Sequence, residues 1–375
     1  MFMDISSELI HSLLPVFLVS ALGANMLTVG VIEGIAEATA LIVKVFSGMI
    51  SDFLGRRKSL AVLGYGLGAL SKPVFAMAGS IHWVFFARFT DRIGKGIRGA
   101  PRDAIIADLT PAEVRGAAYG LRQALDTVGA FLGPLLGIVL MVLLANNFRQ
   151  VFWFATIPAF LAVSLLVIGI KEPEDKHADG KATSPIKFTI LKQFDSSYWW
   201  IVAIGGVLTL ARFSEAFLIL RAQDIGLPDS LAPAILITMN LIYALSAYPA
   251  GRLADRINHT YLIVAGLVVL MSADLILAHA RGLALVFTGV VLWGLHMGLT
   301  QGLLAAMVAQ AAPERLRGTA FGCFNLISGI AMLFGGILAG LLWDMYGASI
   351  TFYAGSILAF LALLLLVLRK SREKL

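Results

Sequence analysis

Arg88, Asp91, Arg92, Lys95, Arg98 and Arg102 are six of the seven charged residues, with Asp103, that interrupt an otherwise apolar stretch from 82 to 107. At helical spacing they share one face, within an arc of ~120°. Five cations and one carboxylate cannot look at lipid, where a charge at the bilayer centre costs roughly 2.5 to 3.5 kcal/mol or more. They must face water or acidic partners. Such partners are present: Glu33, Glu37 and Lys44 form a stripe in the 27–51 stretch, Asp4, Glu8 and His11 lie near the start, and Arg122, Gln123 and Asp126 follow at 116–144. Arg212 and Glu215 sit in the 198–221 stretch. A carboxylate held between apolar walls and movable cations can take up and release a proton as the local field changes. The same residues can also serve as static ion pairs that fix helix packing.

Other chemistries lack their residues. There is no P-loop, no zinc-protease helix and no Gly-x-Ser-x-Gly elbow, so neither ATP hydrolysis nor acyl transfer is supported and the chain does not read as an enzyme. Gly64-Tyr65-Gly66-Leu67-Gly68 has the look of a dinucleotide loop, but no strand precedes it, and close helix packing explains the glycines better. Cys323 is the single cysteine, which excludes an internal disulfide and a thiolate metal pair. His82, His177, His259 and His279 read as solvated side chains. His11 and His296 are placed to face a polar site, yet two histidines on different helices make no metal centre. No cofactor is expected.

The elements that must position these groups follow from composition. Of 375 residues, 59% are hydrophobic and 14% charged, and mean hydropathy is +0.86, far too apolar for a water-soluble globule. A bilayer core of ~30 Å needs ~20 apolar residues per helix, and twelve such stretches occur, at 1–22, 27–51, 59–79, 82–107, 116–144, 149–170, 198–221, 231–250, 260–280, 284–308, 318–343 and 348–368. The fold class is therefore an all-α membrane protein with twelve transmembrane helices. The hydrophilic segment 171–197 divides it into an N-terminal six-helix bundle, 1–170, and a C-terminal one, 198–375. Lysine and arginine concentrate on alternate loops, in that linker and in the tail. By the positive-inside rule both termini face the cytoplasm, as expected for a multi-pass protein of a bacterial inner membrane. The net charge of +6 is thus an orientation signal rather than a nucleic-acid footprint. No basic leader precedes the first apolar stretch. Ser7-Glu8 resembles Ser214-Glu215, but fewer residues precede it, so helix 1 is expected to begin roughly ten residues upstream of Met1.

The chain also repeats itself. Gly48-Met49-Ile50-Ser51-Asp52, with Gly55-Arg56-Arg57-Lys58 after it, returns 203 residues later as Gly251-Arg252-Leu253-Ala254-Asp255-Arg256. Pro111, Arg115, Gly116, Ala118, Tyr119 and Gly120 return 202 residues later as Pro313, Arg317, Gly318, Ala320, Phe321 and Gly322. Two matches at nearly one offset indicate a duplicated half. The pattern Gly-x-x-x-Asp-x-x-Gly-Arg-Arg resembles the signature loop of the major facilitator superfamily. Here Phe53 stands where that family has a basic residue, and the second copy has Asn258 and His259 in place of Gly and Arg. Gly129-x-x-x-Gly133-Pro134-x-x-Gly137 resembles the family's antiporter motif, and its counterpart at Gly335-Gly336 lacks the proline. Arg92-x-x-Lys95-Gly96 resembles the helix-4 motif, with lysine replacing glutamine.

This resemblance spans essentially the whole chain and implies two pseudosymmetric six-helix bundles, with helices 1, 4, 7 and 10 lining a central cavity. It implies a secondary active transporter working by alternating access. The antiporter-like motif favours proton-coupled efflux of a small molecule by a functional monomer. Alternatives are uptake or facilitated diffusion of an anionic metabolite or metal chelate, and a non-transporting membrane sensor or assembly partner. The proton-coupling candidates are Glu8, Glu37, Asp126 and Glu215. The substrate-binding candidates are Arg92, Lys95, Glu33, Arg212, Trp293, His296, Gln301 and Asn325. Gly48, Asp52, Gly55, Arg56, Arg102, Asp103, Arg115, Gly251, Asp255 and Arg256 are expected to gate, while Gly129, Gly133, Pro134 and Gly137 are expected to hinge. The second half has neutral counterparts, with Asn240 at Glu37, Met297 at Lys95 and Thr300 at Arg98, which assigns most charge chemistry to the first half.

Overall fold

The computed structural model describes residues 1–54, 57–111, 114–170, 191, 193–254, 256–313 and 316–372. Gly55, Arg56, Asp255 and most of the 171–197 linker lie outside the described residues, as does the side chain of Asp52. Among the described residues there are helices and no strands. The first rod joins α1, Phe2–Val16, to a π-helical turn at Phe17–Ala21, and α2 follows over Met26–Leu54. Pro15 removes a backbone donor just before the wide turn. Then come α3 (Arg57–Met77), α4 (Ile81–Leu109), α5 (Arg115–Leu143) and α6 (Phe148–Gly169).

After the linker, the seventh rod is broken into α7, Ser196–Ala211, and α8, Ala216–Asp224. The series continues with α9 (Pro233–Ala254), α10 (His259–His279), α11 (Leu283–Ala311), α12 (Arg317–Tyr346) and α13 (Ala348–Arg372). Among the described residues, twelve rods therefore stand where the twelve apolar stretches place them. Eleven are long and apolar enough to cross a membrane, and the twelfth, α4, is 29 residues long but carries the charge ridge. The difference from expectation is the gap at 212–215. There Arg212 leaves helical geometry, and the Ser214 hydroxyl accepts the Ala216 N–H at 3.3 Å to start α8.

Contacts divide the chain into two compact units. One holds Met1–Ala24 and Ile35–Ser184, the other Asn25–Gly34 and Pro185–Leu375. In the first, α3 packs on α4 and α6, and α1 on α5 and α6. In the second, α10 packs on α11 and α13, and α7 on α12 and α13. The pairings correspond rod for rod, which is the duplication seen as packing. Glycines set the same close approaches. A Cβ at Gly96 of α4 would lie 2.7 Å from Val43 of α2, and one at Gly298 of α11 would strike Ser246 of α9. Small residues at such crossings let backbones meet in lipid, where hydrophobicity gives helices no reason to associate.

Within the second unit the first residues of α2 lie against α12. Gly30 and Gly34 meet the backbone of Gly336 and Leu333, and the Asp344 carboxylate accepts the N–H groups of Met26 (3.0 Å) and Leu27 (2.9 Å). The carboxylate meets the positive end of the α2 dipole and satisfies two donors that no helix turn can reach. Outward faces are apolar: Phe154, Ile157 and Ile168 of α6 and Phe360 and Leu364 of α13 are exposed. Such continuous apolar surface suits acyl chains and not water.

Candidate transport site

The charge ridge of α4 points inward within the first unit, where it is split into two layers. In the deeper layer, Lys72 Nζ of α3 donates to Asp91 Oδ1 at 2.7 Å and to Ser7 Oγ of α1 at 3.1 Å. The Asp91 and Lys72 side chains are only 4% and 1% exposed. Arg92 Nε lies 3.7 Å from the other Asp91 oxygen. Burying two ions is costly, and the pair persists because each charge meets its opposite with good geometry. Arg98 is buried beside them, its guanidinium 5.0 Å above the Tyr65 ring.

Room for this layer comes from glycine. A Cβ on Gly64 would come within 2.7 Å of the Gly94 carbonyl, and one on Gly68 within 3.2 Å of Arg98 Nη1. The Gly64-x-x-x-Gly68 run is therefore a helix seam.

The shallower layer is built around Glu37 of α2. Its Oε1 is 3.1 Å from Arg92 Nη1 and 3.8 Å from Arg88 Nη2. Glu37 keeps 25% of its side chain exposed while both arginines are buried. Lys95 is exposed on the same face, and Glu8 pairs with His11 at 3.5 Å on α1. The fields of Lys95 and Arg92 reach both Glu8 and Glu37. Arg92 thus bridges the layers, bound to Glu37 on one side and close to Asp91 on the other.

Asp126 belongs to a different group. Its carboxylate lies 3.2 Å from Arg122 and 3.5 Å from Arg102, and those arginines also meet Asp103, at 3.6 and 3.2 Å. Asp126, expected with the proton carriers, is therefore placed with Arg102 and Asp103, expected with the gate. Among the described residues, Arg115 does not join that network. Its Nε donates to the carbonyls of Ala107 (3.1 Å) and Thr110 (3.3 Å), bracing the last turn of α4. Arg317 does the same in the second unit, donating to Ala309 at 3.3 Å across the same eight residues. The turns before them match too, with Val114 N–H bonded to Pro111 O and Leu316 N–H to Pro313 O. Gly48, Gly251 and Arg256 lie at the ends of α2 and α9, the last two exposed.

The glycines of α5 pack on α1. A Cβ at Gly133 would sit 2.7 Å from Ile5 O and 2.9 Å from Glu8 Cβ, and one at Gly129 2.8 Å from Asp4 Cβ. α5 remains one helix through Pro134 and Gly137. Gly133→Leu is expected to force α1 off α5, at a cost of about 1–3 kcal/mol, and to displace Glu8. A lowered unfolding midpoint in detergent, with activity lost even where protein accumulates, is the expected result; a wild-type midpoint would remove this contact from the argument.

The second unit presents fewer charges. Arg212 and Glu215 flank the α7–α8 gap and are half-buried, as are Gln301 and Asn325. Trp293 and His296 are fully buried, and His296 Nδ1 lies 2.9 Å from the Gly266 carbonyl. Glu33, in the part of α2 that packs with this unit, is buried as well. Two groups stood out less in the sequence. Lys72 is a lone lysine inside an apolar helix, and its partner comes from another rod. Asp274 of α10 is entirely buried. An isolated charged residue in a spanning segment was the available signal for both.

Comparisons with known proteins agree with this architecture. The sequence profile described as Major Facilitator Superfamily matches residues 1–236 and 213–375. An uncharacterised MFS-type transporter of Methanocaldococcus jannaschii is 32% identical over 376 residues, covering 97% of this chain and 91% of that protein. Multidrug resistance protein 1 of Bacillus subtilis is 24% identical over 339 residues, covering 87% of this chain and 85% of the relative. The crystal structure of the nucleoside transporter NupG shares the fold with a TM-score of 0.79 at 13% identity, covering 100% of this chain and 97% of that one. Duplicated six-rod halves, a buried charge ridge and an apolar exterior thus coincide with a match along the full sequence, and the chain is a multi-pass membrane transport protein belonging to the major facilitator superfamily.

Proposed function

We propose that this transporter is a proton-coupled efflux carrier for a small molecule, working by alternating access as a monomer in a bacterial inner membrane with both termini cytoplasmic. One observation carries the reading: Glu37 is a partly exposed carboxylate held by Arg92 and Arg88, with Arg92 also reaching the buried Asp91. A proton arriving at Glu37 cancels its pull on Arg92 and removes the charge that a cationic ligand would need there. Proton and cationic ligand then compete for one carboxylate, which is what antiport requires. Glu8 beside His11 offers a second protonatable pair on the facing helix. The α5 glycine run against α1, and the similarity to a protein named for multidrug resistance, support efflux.

Protein reconstituted in liposomes with an imposed pH gradient tests the reading. Ethidium, a lipophilic cation, and a panel of organic anions serve as probes. Proton flux that rises with a transported probe is the expected result. Transport of a probe with no accompanying proton flux would replace antiport with facilitated diffusion, and no transport of any probe would favour a sensor.

A second reading has its own support. Around Arg92, five cations (Lys72, Arg88, Arg92, Lys95, Arg98) face three carboxylates (Glu8, Glu37, Asp91) among the described residues. This positive excess suits an anionic metabolite or chelate. Arg92→Ala is then expected to weaken anionic probes about tenfold or more, the loss of one charge-assisted contact of roughly 1.5–3 kcal/mol, and to spare cationic ones. Equal effects on both would make Arg92 a structural residue.

A further inference from the structure

Asp274 of α10 is the strongest unexplained group in the second unit. It is fully buried, and neither carboxyl oxygen has a hydrogen-bond partner. The repeat shows what is missing. At the offset of 202 residues Asp274 stands where Lys72 stands in the first half, and Trp293 stands where Asp91 does. The first half therefore holds an ion pair at this crossing, while the second holds a carboxyl facing an indole, whose Nε1 is buried and also without a partner.

The surroundings are tight and apolar. A Cβ on Gly355 of α13 would lie 2.7 Å from Asp274 Oδ2 and 2.9 Å from the Phe213 ring. Phe213 packs on Trp293 and Phe352 with centroids 5.6 and 5.5 Å away. It belongs to the non-helical link between α7 and α8, the one interruption of that rod. Of the elements packed on α10, α11 brings His296, and α13 brings Tyr353, which is half-buried and bonded to His279. α9 brings the half-buried Tyr243 and the exposed Tyr248 and Arg252, and the α7–α8 link brings Arg212 and Glu215. The field of Arg212 reaches His296, whereas both Asp274 oxygens are buried without a hydrogen-bond partner among the described residues. An ionised carboxylate in such a place loses its water and gains no counter-charge, and a bound proton removes that penalty. Interrupted helices in transporters put polar backbone beside ion sites near mid-membrane.

We infer that Asp274 is a proton-binding site of the second unit, closed by Phe213 at the break between α7 and α8 and opened to exchange when that break moves. Its role in coupling rests on the antiport reading above; its existence does not.

Infrared spectra of the protein in phosphatidylcholine–phosphatidylglycerol vesicles at neutral pH test it. The wild-type protein is expected to show a protonated-carboxyl stretch that Asp274→Asn loses, and in D2O that band is expected to move to its deuterated position within the time of a transport assay. Identical spectra for the two proteins, or a band that keeps its proton for hours in D2O, overturn the inference. Where Asp274→Asn fails to fold, a hydrophobic carbodiimide on wild-type protein decides: an adduct on the Asp274 peptide upholds the site, and an unlabelled peptide overturns it. An exchanging band in a protein without coupled proton flux upholds the site and rejects antiport instead.

Discussion

Asp91→Asn is expected to destabilise the first unit by about 3–5 kcal/mol, the usual cost of leaving one member of a buried ion pair alone. The substitution keeps volume and shape, so the cost isolates the charge. Lys72 is 1% exposed and would retain only the Ser7 hydroxyl and a neutral amide. Arg92 and Arg98, already buried nearby, would add repulsion, offset only at Arg92 by the partly exposed Glu37. The measurement is the thermal unfolding midpoint of purified protein in detergent. The double variant Asp91→Asn with Lys72→Met should recover much of the loss, because both ions are then gone and an apolar side chain fills the space. A single variant with an unchanged midpoint, or a double variant no better than the single, would mean that the Lys72–Asp91 contact contributes little.

Glu37→Gln should give the opposite profile: a near-normal midpoint and a loss of gradient-driven transport of at least about tenfold, equivalent to 1.4 kcal/mol. Glu37 keeps a quarter of its side chain exposed, so its pairs are partly screened and their loss is cheap. Arg92 keeps Asp91 as a neighbour when Glu37 is neutralised. What disappears is the ability to alternate between charged and neutral states next to that arginine. Exchange of probe across the membrane without a gradient should survive, since the binding surface stays intact. If Glu37→Gln retains full gradient-driven transport, the coupling proton resides elsewhere, and Glu8 becomes the next candidate.

The sequence made the rods legible because a bilayer imposes a length and a polarity that few other structures share. Even α4, too charged for a hydropathy criterion, was readable from the helical spacing of its ridge. Partners were harder. Lys72 pairs with Asp91 across 19 residues and between two helices, and no periodicity announces such a contact. Asp126 was expected among the proton carriers, whereas it shares Arg102 and Arg122 with Asp103. The α7–α8 break escaped notice because residues 212–215 contain neither proline nor glycine. Trp293 and His296 looked like surface available to a ligand, yet both are enclosed, since helix faces seen one at a time do not reveal what covers them.

The two bracing arginines carry a historical implication. Arg115 and Arg317 each donate to the carbonyl eight residues back, after a matching hydrogen bond from Val114 to Pro111 and from Leu316 to Pro313, while ionisable residues a few turns away differ between the copies. A joint present in both copies, amid charged positions that differ, is what a duplicated segment leaves when its corners stay alike and its ionisable side chains do not.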